Sequence, residues 1–164
     1  MLYFSRYHGP LGTYILASSK KGLVCVKTEK QAQVYFARWE KEQIELRRDD
    51  SRHLRAIEQL DAYFAGKRRR FTLPLDLRGT LFQRQVWGQI KQIPWGKTRS
   101  YLQIAKRLGR PASSRAVGGA TGSNPVAIVV PCHRVIGSSG RLTGYGGGLK
   151  RKAALLALEH PYAF

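Results

Sequence analysis

The chain has 164 residues, a hydrophobic content of 43% and a formal net charge of +19, from 29 basic and 10 acidic residues. It is long enough for one medium domain or two small ones, and no apolar run approaches the about 18 residues of a membrane span. The first ten residues, "MLYFSRYHGP", lack the basic-then-apolar pattern of a signal peptide. We therefore expect a soluble intracellular protein without a membrane partner.

The positive charge is unevenly distributed along the chain. Residues 80–164 contain 13 basic residues and a single acidic residue, Glu159, whereas residues 1–79 contain 16 basic and nine acidic residues. A field of this sign favours binding to a polyanion, most simply nucleic acid. The alternative is a generally basic surface that keeps the protein soluble.

Residues 1–27 read as short strands, separated by turn signals at 9–12 ("GPLG") and 18–22 ("SSKKG"). Residues 30–46 read as a helix. This order of elements indicates a small antiparallel sheet with helices in the first part of the chain.

A second helix is expected after Ser51, which can cap it, and before Gly66, which can end it. The run "KRRR" (67–70) is interpreted as a solvated turn, with a phosphate contact as the alternative. "FTLPLDL" (71–77) reads as an extended connector, because its proline disfavours a central strand. The predicted core face of the helix consists of Leu54, Ile57, Leu60 and Phe64.

The second part of the chain is predicted to be mainly helical. Helices are expected after Thr80, after Ser100, over residues 114–122, and from about Leu149. The fold class is therefore α+β: a small N-terminal antiparallel-sheet domain with helices (1–79, including the connector), joined to a mainly helical C-terminal domain (80–164).

The segments "SYLQIAKRLG" and "SRAVGGATG" form two short helices joined by a tight turn, which is typical of a helix-turn-helix. The second helix has one long side chain, Arg115, followed by small residues. Two glycines inside a helix cost roughly 2 kcal/mol relative to alanine, so the sequence indicates close approach of another surface. A narrow DNA groove is one candidate and tight packing against a neighbouring helix is the other.

Cys132, in "PCHRV", is either a nucleophile or an inert core thiol. No Cys-x-x-Cys motif accompanies it, and the four histidines are scattered, which disfavours a metal site. A thiol peptidase stays formally open, but it gives no reason for the charge. Adjacent side chains point in different directions, so His133 would act through a water, with Glu159 holding the imidazole. Cys25, in "GLVCVK", is expected to be a core strand residue.

Three segments together carry a resemblance to a known family: "IPWGKTRSYLQIAKRLG", "SRAVGGATGSNPVAIVVPCHRVIGSSGRLTGYGGGL" and "LLALE". They closely resemble O6-alkylguanine-DNA alkyltransferases, also called methylated-DNA–protein-cysteine methyltransferases. The similarity is dense over residues 80–159 and weaker over residues 1–79, where it implies a ribonuclease H-like domain. Related non-enzymatic proteins commonly have tryptophan at the position of Cys132, so the cysteine indicates the reactive form.

The resemblance implies a role for each matching residue of the catalytic centre. Cys132 takes the alkyl group from a flipped guanine, His133 is the base acting through a water, and Glu159 orients His133. Asn124 braces the turn around the active-site segment. Tyr101 helps to rotate the nucleotide and donates a proton to the guanine ring.

The resemblance also implies substrate and DNA contacts. The Val135 carbonyl accepts from the guanine amine, and Tyr145 and Gly146 lie on the loop that closes the pocket. Some family members have serine at the position of Gly146, so a side-chain contact is not expected there. Arg115 fills the gap left in the base stack. The other residues predicted to contact DNA are Ala116, Gly118, Gly119 and Thr121.

The implied function is direct-reversal DNA repair, in which one alkyl group moves irreversibly from O6-alkylguanine, or O4-alkylthymine, to the protein. Some relatives hold a structural zinc, but the matching positions are Ser19 and Val24, so we expect no metal and no cofactor. The expected partner is duplex DNA containing alkylated guanine. We expect a cytoplasmic, nucleoid-associated monomer (nuclear in a eukaryote); the sequence does not decide whether copies assemble cooperatively on DNA. A non-catalytic lesion binder and a helix-turn-helix regulator are the alternatives.

Overall fold

A four-stranded sheet forms the first of two units in this computed structural model, which describes residues 1–160. The strands are β1 (Leu2–Gly9), β2 (Gly12–Ser18), β3 (Leu23–Thr28) and β4 (Leu46–Arg48). Their order is β3-β2-β1-β4: the first three are antiparallel neighbours, and β4 lies parallel to β1. The units are Met1–Leu77 and Arg78–Phe164, with the boundary two residues before the predicted one.

The first helix is shorter than predicted. α1 (Glu29–Lys41) begins after Thr28, whose hydroxyl accepts from the Gln31 N–H, and Gln43 then has a φ of 54°. A left-handed residue cannot continue a helix. Leu46, the last residue of the predicted helix, instead begins β4, which lies parallel to β1, so the sheet is mixed at this edge and not purely antiparallel.

The second helix, α2 (Leu54–Phe64), follows a 3₁₀ turn that includes Ser51, so Ser51 is not its cap. Its buried face is rotated by about one residue position from the prediction, and Leu54 is 58% exposed. On this face the Tyr63 ring contacts the Phe71 ring at a tilt of 36°, with ring centroids 5.4 Å apart. The buried residues of α2 are Ala56, Gln59, Leu60 and Tyr63.

The core between the sheet and α1 contains Cys25, as the alternating strand pattern predicted. Cys25 is fully buried together with Leu2, Ala17, Val24 and Trp39. Burial raises the pKa of its thiol to about 12, against a weaker opposing effect of Lys27. Cys25 is therefore protonated and unreactive at neutral pH.

The second unit is mainly helical, as expected. Its helices are α3 (Leu81–Lys91), α4 (Tyr101–Arg107), α5 (Ser114–Gly122) and α6 (Leu149–Glu159), with two short parallel strands, β5 (Arg99–Ser100) and β6 (Val135–Ile136). A 3₁₀ turn (Pro111–Ser113) joins α4 to α5. The α+β class expected from the sequence is thus confirmed.

Local sequence determines where α3 and α4 begin. Thr80 and Ser100 each cap a helix and are bonded back by Gln83 and Gln103, which completes a capping box at both sites. The Trp87 indole donates to the Ala120 carbonyl at 2.7 Å and so ties α3 to α5. Within residues 1–160, no helix combines the length and the apolar character needed to cross a membrane.

The start of β3 is predicted to require a residue without a side chain at Gly22. A Cβ atom on Gly22 would lie 2.4 Å from the Pro74 carbonyl oxygen, and its φ is +151°. Gly22→Ala should therefore destabilise the protein by about 1–3 kcal/mol. Gly88→Ala is the matched control: its Cβ meets no atom within 4 Å, so it should stabilise α3 by about 0.5–1 kcal/mol. Urea unfolding of both variants measures the difference, and equal effects would contradict the close approach.

Candidate active site

The segment before Cys132 is a buried turn built around Asn124. The Asn124 side chain donates to the Val130 carbonyl at 2.8 Å and accepts from the Val126 N–H at 3.0 Å. Ile128, inside this turn, has a φ of 71°, which is rare for a β-branched residue. The two side-chain bonds agree with the bracing role predicted for Asn124.

Cys132 begins a 3₁₀ turn, Cys132–Arg134, whose three side chains are buried. The thiol-bearing residue is 6% exposed and His133 is fully buried. His133 Nε2 lies 2.7 Å from Glu159 Oε1 at the end of α6. The structure therefore brings together the predicted nucleophile, base and carboxylate in one part of the second unit.

Arg134 also binds Glu159, and the sequence analysis missed it. Its Nε donates to Oε2 at 2.7 Å, its Nη2 donates to Oε1 at 2.8 Å, and its Nη1 donates to the Ile93 carbonyl at 2.6 Å. A signal existed: Glu159 is the one carboxylate side chain among the 13 cations of residues 80–164, and a buried carboxylate needs a cation.

The protonation states of this pair follow from the environment. Burial raises the pKa of Glu159, but the hydrogen bonds from His133 and Arg134 outweigh it and lower that pKa to about 2. Burial lowers the pKa of His133 despite the opposing carboxylate. We therefore assign a neutral imidazole beside an ionised carboxylate whose charge Arg134 balances.

The tautomer of His133 follows from these protonation states. An ionised carboxylate only accepts hydrogen bonds, so His133 Nε2 is the donor in its 2.7 Å contact with Glu159. In a neutral imidazole the other nitrogen then carries the lone pair. Nδ1 is therefore the atom of His133 that can take a proton.

Lys152 is a second buried cation that sequence reasoning missed. It is fully buried, and its ammonium group donates to the Thr143 carbonyl at 2.7 Å and to the Val135 carbonyl. Burial lowers its pKa to about 8, and electrostatic attraction to Cys132 opposes this shift. In "LKRKAA" the residue resembles its solvated neighbours, so the pattern gave no signal.

The Val135 carbonyl already accepts a hydrogen bond from Lys152. The guanine contact predicted for Val135 must therefore use the second lone pair of that carbonyl.

An open groove of about 520 Å³ brings together five of the predicted substrate and DNA residues of the second unit. This volume lies within the range of ligand sites. The Tyr101 hydroxyl donates to the Thr143 carbonyl at 3.0 Å, and burial raises its pKa, so it is a protonated phenol at neutral pH. Cys132 and Val135 do not line the groove. Its lining includes Tyr101, Arg115, Gly118, Tyr145 and Gly146.

The outer side of α5 is exposed and carries Arg115, Ala116 and Gly119. A Cβ on Gly119 would meet no protein atom within 4 Å, and one on Gly118 would meet only the Tyr101 ring at 3.8 Å. Tight packing against a neighbouring helix therefore does not explain the small residue at 119. Because Glu159 is buried, the surface of the second unit presents no acidic side chain.

Thr121 does not fit the DNA contact predicted for it. It is only 4% exposed, and its hydroxyl donates to the Val117 carbonyl at 2.7 Å. Thr121 lies on the buried side of α5, and its hydroxyl is bonded to the backbone of the same helix. Residues 1–160 also contain no group of three or more His, Cys, Asp or Glu side chains arranged to hold a metal ion.

We predict that Glu159→Gln destabilises the folded state in a pH-dependent way. At pH 7 the change leaves Arg134 buried without its carboxylate and should cost about 3–5 kcal/mol. The folded pKa of Glu159, about 2, lies below its ordinary value of 4.5, so its contribution is present above pH 4.5 and is lost as the pH falls towards 2. The difference from wild type should shrink by about 2 kcal/mol between pH 6 and pH 3.

Urea unfolding at a series of pH values measures this difference. Glu58→Gln is the matched control, because Glu58 is exposed on α2 and its replacement should change the stability little at any pH. A deficit of Glu159→Gln that stays constant from pH 6 to pH 3 would contradict the ionised, hydrogen-bonded carboxylate.

Comparison with known proteins identifies the family. Residues 81–161 match the model of the 6-O-methylguanine DNA methyltransferase DNA binding domain, and residues 2–77 match that of its ribonuclease-like domain. The methylated-DNA–protein-cysteine methyltransferase of Mycobacterium leprae is 46% identical over 159 residues, which cover 97% of this chain and 93% of that protein. The enzyme of the same name from Mycolicibacterium paratuberculosis is 62% identical over 108 residues, 66% of each chain.

Solved structures agree with this assignment. The crystal structure of Mycobacterium tuberculosis OGT in complex with DNA matches with a TM-score of 0.88 and 45% identity, covering 97% of this chain and 93% of that one. A structure of the same protein described as O6-methylguanine methyltransferase matches with a TM-score of 0.85 and 43% identity over 100% of this chain and 96% of that one. The chain therefore belongs to the 6-O-methylguanine DNA methyltransferase family.

Proposed function

We propose that this protein repairs DNA by moving the alkyl group of O6-alkylguanine, and of O4-alkylthymine, onto its own Cys132. The observation that carries the proposal is the buried arrangement of Cys132 beside His133, whose Nε2 lies 2.7 Å from Glu159. The family and the DNA-bound relative support duplex DNA as the substrate. The reaction is stoichiometric, since a thioether forms and no second thiol lies on the second unit to reverse it.

The chemical step needs a thiolate and a proton for the leaving guanine. Nδ1 of His133 accepts the thiol proton through a water, and Glu159 stabilises the resulting imidazolium. The Cys132 sulfur then forms a bond to the alkyl carbon as the bond from that carbon to O6 breaks. The guanine anion takes a proton from the Tyr101 hydroxyl, which must exchange its present acceptor, the Thr143 carbonyl at 3.0 Å. The imidazolium proton, relayed through solvent, restores the phenol.

Lys152 has two tasks in this mechanism. Its hydrogen bonds to the Val135 and Thr143 carbonyls fix two pocket segments relative to α6. Its positive charge attracts the negative charge that develops on Cys132, in a buried setting where such attraction is strong. Lys152 is therefore a positioning residue that also favours the thiolate.

The lesion reaches the thiol only after base flipping, because O6 is inaccessible inside a duplex. We assign Arg115 to the space that the flipped base leaves, since it is exposed, lines the groove and projects from a helix with small neighbours. The flat outer side of α5 suits the minor groove, where an inserted side chain unstacks the bases. The surface of the second unit has no acidic side chain, which suits contacts to the DNA phosphates.

We also propose that the protein works in the cytoplasm, on the nucleoid, or in the nucleus of a eukaryote. Its substrate is chromosomal DNA, and Cys132 must stay reduced to react. A reducing compartment meets both conditions.

The proposed function predicts how many alkyl groups are transferred to each protein molecule and to which residue. After incubation with duplex DNA containing O6-methylguanine, intact-mass analysis should show one added methyl group, and peptide mapping should place it on Cys132. Cys132→Ser should bind DNA and gain no label. Many turnovers per protein, or a methyl group on Cys25, would contradict the mechanism. Binding without transfer by the wild type would support a lesion binder instead.

A comparison of duplex DNA with a free base separates base flipping from the chemical step. Arg115→Ala should slow repair of duplex DNA by roughly 10- to 100-fold, because extruding a base costs a few kcal/mol. Its reaction with free O6-benzylguanine, which needs no flipping, should stay within about twofold of wild type.

Lys106→Ala is the matched control for Arg115→Ala, since it removes one exposed cation from the same helix-turn-helix. It should change the duplex rate by no more than about threefold. If Arg115→Ala slows both substrates equally, or if Lys106→Ala slows duplex repair as strongly, Arg115 does not fill the base stack.

A further inference from the structure

The run Lys67–Arg70 after α2 has no part in alkyl transfer. It holds four consecutive cations, and no acidic residue lies between positions 62 and 75. Arg55 lies on α2, and its Nη2 donates to the Thr72 carbonyl at 3.5 Å, so its charge lies close to the end of this run. We call this five-cation surface the basic turn: Arg55, Lys67, Arg68, Arg69 and Arg70.

The cations of the basic turn are not neutralised by carboxylates. Within residues 1–160, none of the five forms an ion pair, although other arginines of the first unit do. Four of the five are exposed, and Arg68 is partly buried. The positive excess of the first unit is therefore concentrated here. The arginines with carboxylate partners are Arg6, Arg38, Arg48 and Arg52.

The basic turn has a fixed backbone. The N–H groups of Lys67 and Arg68 both donate to the Ala62 carbonyl, at 2.9 and 3.0 Å. Where the run ends, the Thr72 N–H donates to the Gln59 side chain at 2.9 Å, and the Gln59 amide donates back to the Thr72 hydroxyl at 3.0 Å. Both ends are thus tied to α2. The backbone of such a surface loses little conformational entropy when it binds a ligand.

Stabilisation of the helix end accounts for only part of this charge. Cations near the C-terminus of a helix interact favourably with its dipole, but the effect falls off within the last turn. α2 ends at Phe64, so Lys67 and Arg68 lie near its end while Arg69 and Arg70 lie beyond it. Two exposed arginines beyond the helix need another explanation.

We propose that the basic turn binds phosphate groups of duplex DNA, as a contact surface separate from the alkyl-transfer site. The choice of DNA as the polyanion rests on the proposed function. Arginine and lysine are the residues that contact DNA phosphates most often, and such contacts need no particular base sequence. The contact adds affinity for any duplex, damaged or intact.

The test is the salt dependence of binding to a 30-base-pair duplex without lesions. Each phosphate contact contributes about 0.9 to the slope of log affinity against log salt concentration. The triple variant K67Q/R69Q/R70Q should therefore lower the slope by roughly 2 to 3. The matched control is K20Q/K21Q/K41Q, which removes three exposed cations elsewhere on the first unit and should lower the slope by less than about 1.

Two further variants complete the comparison. R69K/R70K keeps both charges and should keep the wild-type slope. Urea unfolding checks that each variant is folded, and if the triple variant is not, R69Q/R70Q replaces it, with an expected drop of roughly 2.

Three results would overturn the proposal. Equal slope changes in the triple variant and its control would show a general charge effect. If the triple variant keeps the wild-type slope, the basic turn does not contact DNA. If the triple variant also loses binding to phosphatidylserine vesicles while its DNA slope is unchanged, a membrane surface is favoured instead. Because the duplex has no lesion, failure of methyl transfer by the wild type is a separate result that leaves these slopes interpretable.

Discussion

A single buried carboxylate organises the second unit. Glu159 accepts hydrogen bonds from His133 and Arg134, so it fixes the imidazole tautomer and joins the end of α6 to the turn that carries Cys132. Burying a carboxylate is expensive unless a cation and hydrogen bonds compensate for the lost water, and Arg134 supplies both. The same burial removes the one acidic side chain from the surface, so one interaction serves both the chemistry and the affinity for DNA.

Rigidity around the thiol has a cost that the surrounding bonds offset. Ile128 is held at a φ of 71°, and strain of this kind costs of order 1–3 kcal/mol and is found mostly at functional sites. Asn124 opposes it through two buried side-chain bonds, and Lys152 ties the segments that follow. The proposed nucleophile, Cys132, is thus held in position before DNA arrives, as electrostatic preorganisation requires.

The sequence predicted best what depends on neighbouring residues. Thr80 and Ser100 begin helices as expected, because a capping box needs only four consecutive residues. β4 was missed because its pairing with β1 is distant along the chain and its residues continue a helical pattern. Arg134 and Lys152 were missed for a related reason: a charged residue is read as solvated unless its buried partners are known. Thr121 was predicted to contact DNA but is buried, since motif spacing does not give side-chain orientation.

The capping box at the start of α4 has a consequence for how the protein finds damage. A helix-turn-helix whose first helix already begins at a bonded cap does not have to order that end at each encounter with DNA. Association then needs no ordering of this helix end, a step that would otherwise slow it. A protein that reacts once must inspect a great many intact base pairs before it meets a lesion. The local hydrogen bonds that begin α4 therefore bear on search time, which limits how soon a lesion is reached.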